Sequence, residues 1–401
     1  MVIERKEYLD RLISLKDKKI IKIITGVRRC GKSTLLEMFR EYLLKNGVER
    51  ENIISVNFED YDFYSLREPD KLYAYVKGRI DDRKQNYVFF DEIQHVDDFP
   101  RVVDSLFIKK NVDIYITGSN AYLLSSELAT LISGRYIEIS MLPLSFAEYV
   151  SYFEDKTDLQ RKYNDYILNS SFPYTMELRE EPSEIKPYLD GIFNTVIVKD
   201  IASRKKISDV SMLESVTRFM FDNIGSSLSM KKIADTMTSD GRKIDVRTVE
   251  KFIDGLTESF ILYKANRYDI KGKQYLKTLD KYYVVDIGVR YMLLGSRSTD
   301  IGHILENVVY LELLRRRFDV YVGKIDETEV DFVAVSDKKI VYYQVATTVR
   351  EQSVLNRELK PLQNIGDNYP KFILTLDEDP EVDYDGIRKV NVLDWLLGKV
   401  E

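Results

Sequence analysis

Short apolar, β-branched runs alternating with amphipathic stretches set the rhythm of the first part of the chain. Ile20 to Thr25 (IIKIIT) has the composition of a strand buried on both faces of a parallel sheet. The stretch TLLEMFREYLL, beginning at Thr34, then predicts a helix. Further strand-like runs follow at Ile53 to Phe58, Tyr87 to Phe90, Val112 to Thr117 and the short YIEI at Tyr136. From Leu144 to about Arg204 the period becomes helical through SFAEYVSYF, LQRKYNDYIL and IKPYLDGIFNTVIVKDIA, with breaks near Ser170-Ser-Phe-Pro173 and Pro182.

A different order occupies the rest. Leu213, Val216, Phe219, Met220 and Ile224 fall at helical spacing, MKKIADTM follows the plausible N-cap Ser229, and VRTVEKFIDGL predicts a third helix. Two strand-like runs, FILYKA and KQYLKT, flank a turn containing Lys271-Gly-Lys273. Ile301 to Arg317 then reads as one helix, followed by strands in YVG, EVDFVAV and KIVYYQVATTV, a helix, and the strand KFILTL. The fold class is therefore α/β, in several parts.

Length agrees, since 401 residues correspond to two to four domains. No run approaches the roughly 18 apolar residues of a membrane helix, and the charged start MVIERKEYLD lacks a secretory signal, so a cytoplasmic protein with no membrane partner is expected. One cysteine excludes an internal disulfide framework, and two histidines leave too few ligands for a His/Cys zinc site. The net charge of −6 does not suit a nonspecific nucleic-acid coat.

The chemistry concentrates directly after the first strand. Gly26-Val27-Arg28-Arg29-Cys30-Gly31-Lys32-Ser33-Thr34 is a G-x-x-x-x-G-K-S phosphate loop standing between a strand and a helix. Glycines let backbone N–H groups close on phosphates, Lys32 reaches the β and γ oxygens, and the Ser33 hydroxyl suits Mg²⁺. The helix adds the positive end of its dipole. Asp91 and Glu92 end the Tyr87 strand; Asp91 has the place to hold Mg²⁺ and Glu92 to polarise the attacking water. In Thr117-Gly-Ser-Asn120, Asn120 and Ser119 are candidates to hold that water or sense the γ-phosphate. Arg135, in Ser133-Gly134-Arg135, is a candidate to stabilise transition-state charge on a neighbouring subunit's nucleotide. Cys30, near a helix N-terminus and two arginines, is expected to be a reactive thiolate.

With DEIQ at Asp91 to Gln94, TGSN at Thr117 to Asn120, SGRY at Ser133 to Tyr136 and PLSFAEY at Pro143 to Tyr149, the chain resembles a prokaryotic family of AAA-type P-loop ATPases that carry a C-terminal domain of unknown function. The resemblance implies ATP and Mg²⁺ as cofactors, a helical lid after the ATPase core, and Asn57 as a residue that restrains Glu92. GTP is disfavoured, because no N-K-x-D or T-K-x-D motif is present. The domains expected are an ATPase core over 1–143, a lid over 144–204, a winged-helix-like domain over 205–285 and a C-terminal domain over 286–401.

The three helices and hairpin of 205–285 resemble a winged helix, and residues 204–285 hold 16 Lys/Arg against 11 Asp/Glu. On such a domain Arg242, Lys243, Arg247 and Lys251 would meet DNA, with Lys271 and Lys273 on phosphate. A protein partner is the alternative. The last domain resembles a degenerate restriction-endonuclease-like fold, with Glu306 and Asp331 in two metal-binding places. Its third place reads Gln344-Val-Ala346, which lacks both a carboxylate and a lysine. Loss of cleavage chemistry is expected unless a lysine from another element, such as Lys338 or Lys339, reaches in. The leading function is Mg-dependent ATP binding and hydrolysis coupled to domain rearrangement, in a homo-oligomer if Arg135 acts in trans. A slow nucleotide-gated switch or scaffold is the alternative, and a DNA nuclease the third reading.

Overall fold

A computed structural model describes residues 3–121, 134–295, 300–337 and 339–400. Ser133 and Lys338, both singled out in the sequence, lie outside them. The chain forms two compact units, 2–143 with 258–260, and 144–257 with 261–401.

The first unit contains α1 (Lys6–Leu15), β1 (Ile21–Thr25), α2 (Lys32–Lys45), β2 (Ile53–Asn57), α3 (Pro69–Lys77), β3 (Asn86–Asp91), α4 (Phe99–Phe107), β4 (Val112–Gly118) and β5 (Tyr136–Ser140). The strands form one parallel sheet in the order β2-β3-β4-β1-β5. Strands β1, β3 and β4 are buried at every position, as their unbroken apolar runs predict, whereas edge strand β2 alternates. The first and fourth runs, β1 and β4, therefore become neighbours in the centre of the sheet. That order sets the C-terminal ends of β1, β3 and β4 side by side, where ligands bind in open α/β sheets. Ile23, Val56, Phe90, Leu106 and Ile116 belong to the core on one side of the sheet.

Polar side chains are buried in the sheet as well. Lys22 of β1 and Asp113 of β4 form a buried ion pair. Asp113 also accepts from Tyr115 Oη at 2.8 Å and from Asp17 N at 2.9 Å. A lysine in the first strand is thus tolerated without breaking its buried character.

In the second unit, helices α5 (Phe146–Ser151), α6 (Leu159–Leu168) and α7 (Ile185–Thr195) precede a π-helical turn, Val196–Ser203. Next come α8 (Val210–Asp222), α9 (Met230–Ser239), α10 (Val246–Glu258), β6 (Leu262–Asp269) and β7 (Gln274–Val284). The chain continues through α11 (Ile287–Leu294), α12 (Ile301–Arg315), β8 (Asp319–Ile325), β9 (Thr328–Ser336) and β10 (Lys339–Ala346). It ends with α13 (Gln352–Gln363), β11 (Lys371–Thr375), β12 (Val382–Tyr384), β13 (Ile387–Asn391) and α14 (Val392–Leu396).

The three helices and hairpin expected after residue 205 are present, but the hairpin is not a separate wing. Strands β6 and β7 complete an eight-stranded sheet in the order β12-β13-β11-β10-β9-β8-β6-β7. The join is a parallel pairing of β6 with β8, Arg267 opposite Val322. A boundary at 285/286 would therefore cut through one sheet. The helices of 144–204 also pack within this unit. Asp286 accepts from Ser171 N at 2.7 Å and Ser171 Oγ at 2.6 Å while capping α11 through Val289 N. A Cβ on Gly288 would lie 2.5 Å from Ser170 Cβ, so only glycine permits this approach.

Candidate nucleotide-binding site

The loop between β1 and α2 is shaped by backbone that most residues avoid. Gly26 has φ +150° and Gly31 φ +104°, while Arg29 adopts φ 65°. A Cβ on Gly26 would sit 2.1 Å from the Met141 carbonyl oxygen, which excludes any side chain there. The loop is also strapped from below. Buried Arg5 donates to Cys30 O at 2.8 Å and to Leu142 O at 2.6 Å. Nothing in the sequence pattern marks Arg5, because its partners are main-chain atoms in distant segments.

Lys32 lies at the start of α2 with its ammonium buried. It donates to Gly26 O at 3.1 Å and Val27 O at 3.2 Å, and stands 3.4 Å from Glu92 Oε1. Burial would lower the lysine pKa, but the charge of Glu92, with Cys30 and Asp91 behind it, more than reverses this and raises it. Burial pushes the opposite way on the Glu92 carboxyl, and Lys32, Gln94, Arg28 and Ser119 together hold it below its usual range. Asp91 is raised by burial despite hydrogen bonds from Thr117 and Ser33.

Glu92 itself has φ 54°, an uncommon left-handed conformation for a non-glycine residue and a local strain at the end of β3. Thr117 fixes it, donating to Asp91 Oδ1 at 2.5 Å and accepting from Glu92 N at 2.9 Å. Gln94 then donates to Glu92 Oε2 and, at 3.3 Å, to Ser119 Oγ. Thr117 and Gln94 were visible in the TGSN and DEIQ motifs, yet their roles depend on the turn at Glu92. Asn57, expected to restrain Glu92, accepts from Glu59 N at 2.9 Å across its own turn at the end of β2.

The structure thus brings Gly26 to Thr34, Asp91, Glu92 and Ser119 to one place, and Asn120 is buried beyond the end of β4. Arg28 reaches Glu59 Oε1 at 2.9 Å. Arg135 is exposed and donates to Asp104 Oδ1 at 2.5 Å, over the Phe107 ring. Cys30 is fully buried, and burial raises its thiol pKa in spite of Lys32 and Arg5, which corrects the expected reactive thiolate.

On the second unit, Arg242, Lys243, Arg247, Lys251, Lys271 and Lys273 are all exposed. Arg242 is engaged with Ser215 Oγ at 2.5 Å, and Lys271 with Asp326 at 2.6 Å. Glu306 and Asp331 lie on α12 and β9, and Gln344 is buried on β10. Ala346 is packed in an apolar cluster with Val349, Leu355 and Leu359.

Residues 18–150 match the AAA domain family, and residues 160–300 match a domain of unknown function. An uncharacterized protein of Haemophilus influenzae is 40% identical over 400 residues, 99% of each chain. Another, from Methanocaldococcus jannaschii, is 29% identical over 93% of this chain and 85% of its own. Among solved structures, a Walker-type ATPase of Pyrococcus abyssi has a TM-score of 0.50 at 15% identity, covering 73% of this chain and 96% of that one, a likeness of fold. No helix among the described residues is long and apolar enough to cross a membrane.

Proposed function

The chain belongs to the same family as the Haemophilus influenzae protein and carries an AAA domain, and from that premise we propose that it binds and hydrolyses Mg·ATP. The observation that carries this reading is the buried Lys32 ammonium, held between two loop carbonyls and Glu92 behind a glycine that tolerates no side chain. The donor set fits the nucleotide: loop N–H groups and Lys32 face phosphate charge, and Ser33 lies on Asp91. When bound, Mg²⁺ neutralises charge on the β and γ oxygens. Lys32 exchanges Glu92 for phosphate. Glu92, kept ionised and oriented by Gln94, accepts hydrogen-bond donation from the attacking water, and Thr117 holds the turn that aims it. Asn120 and Ser119 serve as the sensing residues at the end of β4.

Hydrolysis couples to rearrangement of the second unit, and Arg135 completes a neighbouring subunit's site in a homo-oligomer. For that role Arg135 must leave Asp104. The exposed cations Arg247 and Lys251 on α10 support contact with DNA; a protein partner fits Glu250 and Asp254, which are exposed on the same helix. Nucleotide binding and phosphate release by the wild type and Lys32→Ala test the core of the proposal. Tight ATP binding and turnover should both be lost in the variant, and binding that survives the substitution would refute it.

A further inference from the structure

The parallel sheet of the first unit ends in a strand whose outer edge opens into a recess. Strand β2 pairs with β3 and lies at the margin of the sheet. Beside it runs a groove of about 800 Å³, floored by Ile53, Ile54 and Ser55. Helix α2 forms one wall with Glu37, Glu41 and Leu44, and α3 forms the other with Tyr75 and Arg79. The side chains of β2 fix which wall is which. Ile54 and Val56 point into the core that Tyr75 packs against, on the α3 side. Ser55 points the other way, where its Oγ accepts from Arg40 of α2 at 2.8 Å.

The backbone of this edge is directional. Phe58 N donates to Asp91 O on β3 at 3.0 Å. Successive residues of a strand turn their N–H and C=O to opposite sides, so Val56 and Ile54 also face β3, while Ile53, Ser55 and Asn57 face the groove. Two of these outward groups are in use: Ile53 N donates to Arg50 O, and Asn57 O accepts from Asp60 N at 3.2 Å. Among the described residues Ile53 C=O, Ser55 N–H, Ser55 C=O and Asn57 N–H meet no hydrogen-bond partner.

That set is the one a parallel neighbour consumes. One residue of an incoming strand donates to Ile53 O and accepts from Ser55 N; the residue two positions on donates to Ser55 O and accepts from Asn57 N. An antiparallel neighbour exchanges both bonds with each outward residue, so its rings at Ile53 and Asn57 would each be half made. A protected edge carries proline, a charge on the strand or a covering element. The sequence Ile53-Ile-Ser-Val-Asn57 has neither proline nor charge.

Charge on the walls selects the side chains. The incoming residue opposite Ser55 faces α2, where Glu37 and Glu41 are exposed and their pairings with Arg40 and Lys45 are both as long as 3.8 Å. Such exposed pairs exchange at little cost. Exposed Leu44 offers the same wall an apolar contact. The two residues that bond to the β2 backbone face α3, where the Arg79 guanidinium lies 3.5 Å from the centre of the Tyr75 ring. We propose that this edge docks an extended segment of another protein, which joins β2 as a sixth, parallel strand with a basic side chain against Glu37 and Glu41 and acidic side chains toward Arg79. Helix α2 also begins at Lys32, but the docking geometry does not depend on what the phosphate loop binds.

The test uses the full-length protein and a fluorescein-labelled heptapeptide, Thr-Val-Glu-Lys-Glu-Val-Thr, which puts its lysine on the α2 side and its glutamates on the α3 side. Fluorescence anisotropy should show saturable binding with a Kd of about 10–100 µM. Ser55→Pro deletes one outward N–H and leaves the bonds to β3 in place, so it should weaken binding at least about tenfold while the protein stays folded by circular dichroism. The charge-reversed peptide Thr-Val-Lys-Glu-Lys-Val-Thr should bind the wild type at least about tenfold more weakly and regain affinity for Glu41→Lys combined with Arg79→Glu. That exchange carries the test if Ser55→Pro fails to fold. A photo-crosslinker on the amino end of the first peptide should label the Arg50 to Ile53 end of β2. Absence of saturable binding, equal binding of the two peptides by the wild type, or crosslinking at the Asn57 end would each overturn the proposal. So would self-association of the protein that Ser55→Pro abolishes, since the edge would then belong to a second copy.

Discussion

Replacing Glu92 with glutamine should tighten ATP binding while it stops hydrolysis. In the structure Lys32 is not free for phosphate, because the Glu92 carboxylate stands 3.4 Å from its ammonium. Two unit charges at that distance attract by about 5 kcal/mol at an effective dielectric near 20. Glu92 is one of three groups holding the ammonium, the others being the carbonyls of Gly26 and Val27, which the substitution leaves in place. Solvation of the freed ammonium and the amide dipole that replaces the carboxylate offset most of this gross attraction, leaving roughly 1.5 kcal/mol, or about tenfold in Kd. Repulsion between the native carboxylate and the γ-phosphate acts in the same direction. Loss of the group that orients and polarises water should lower the chemical step by about 10²- to 10⁴-fold. Calorimetric titration with a non-hydrolysable ATP analogue and Mg²⁺ reads the first effect, and single-turnover phosphate release reads the second. Weaker binding by Glu92→Gln would show that the carboxylate does not compete for Lys32. Undiminished single-turnover hydrolysis would remove Glu92 from the water-activating role.

Cys30 should resist alkylation in the native protein and react fully only after denaturation, since burial raises its thiol pKa and removes its access to reagent; rapid labelling with parallel loss of ATPase activity would refute this. If α10 contacts DNA, affinity should fall steeply with salt, and Arg247→Glu with Lys251→Glu should weaken it further. Fluorescence anisotropy at several salt concentrations measures both effects, and salt-independent retention would point to a protein partner instead.

The nucleotide loop was legible because its chemistry is local: nine consecutive residues, Gly26 to Thr34, specify the turn, the cation and the hydroxyl. Asp91, Glu92 and the order of strands before them could also be followed from apolar runs. Gln94 and Thr117 were visible as letters but not as contacts, since both depend on the left-handed turn at Glu92. In the second unit, Glu306, Asp331 and Gln344 were identifiable by order along the chain. The buried ion pair of Lys281 on β7 with Glu306 was not, since it depends on β6 pairing in parallel with β8, a register between distant segments that leaves no period in either one. The same pairing explains why the hairpin read as an independent wing.

The Arg5 strap ties competence of the phosphate loop to the timetable of synthesis. Its Leu142 partner lies 137 positions further along the chain than Arg5. At about 5–20 residues per second, roughly 7 to 27 seconds separate the addition of these two residues on a ribosome. During that interval Gly26 to Ser33 already exist as sequence, but of the three main-chain anchors of the guanidinium beneath them, the carbonyls of Cys30, Leu142 and Pro143, only the first is available. A nascent chain therefore carries the written motif well before it carries the finished cradle, because the later anchors of Arg5 are encoded far downstream.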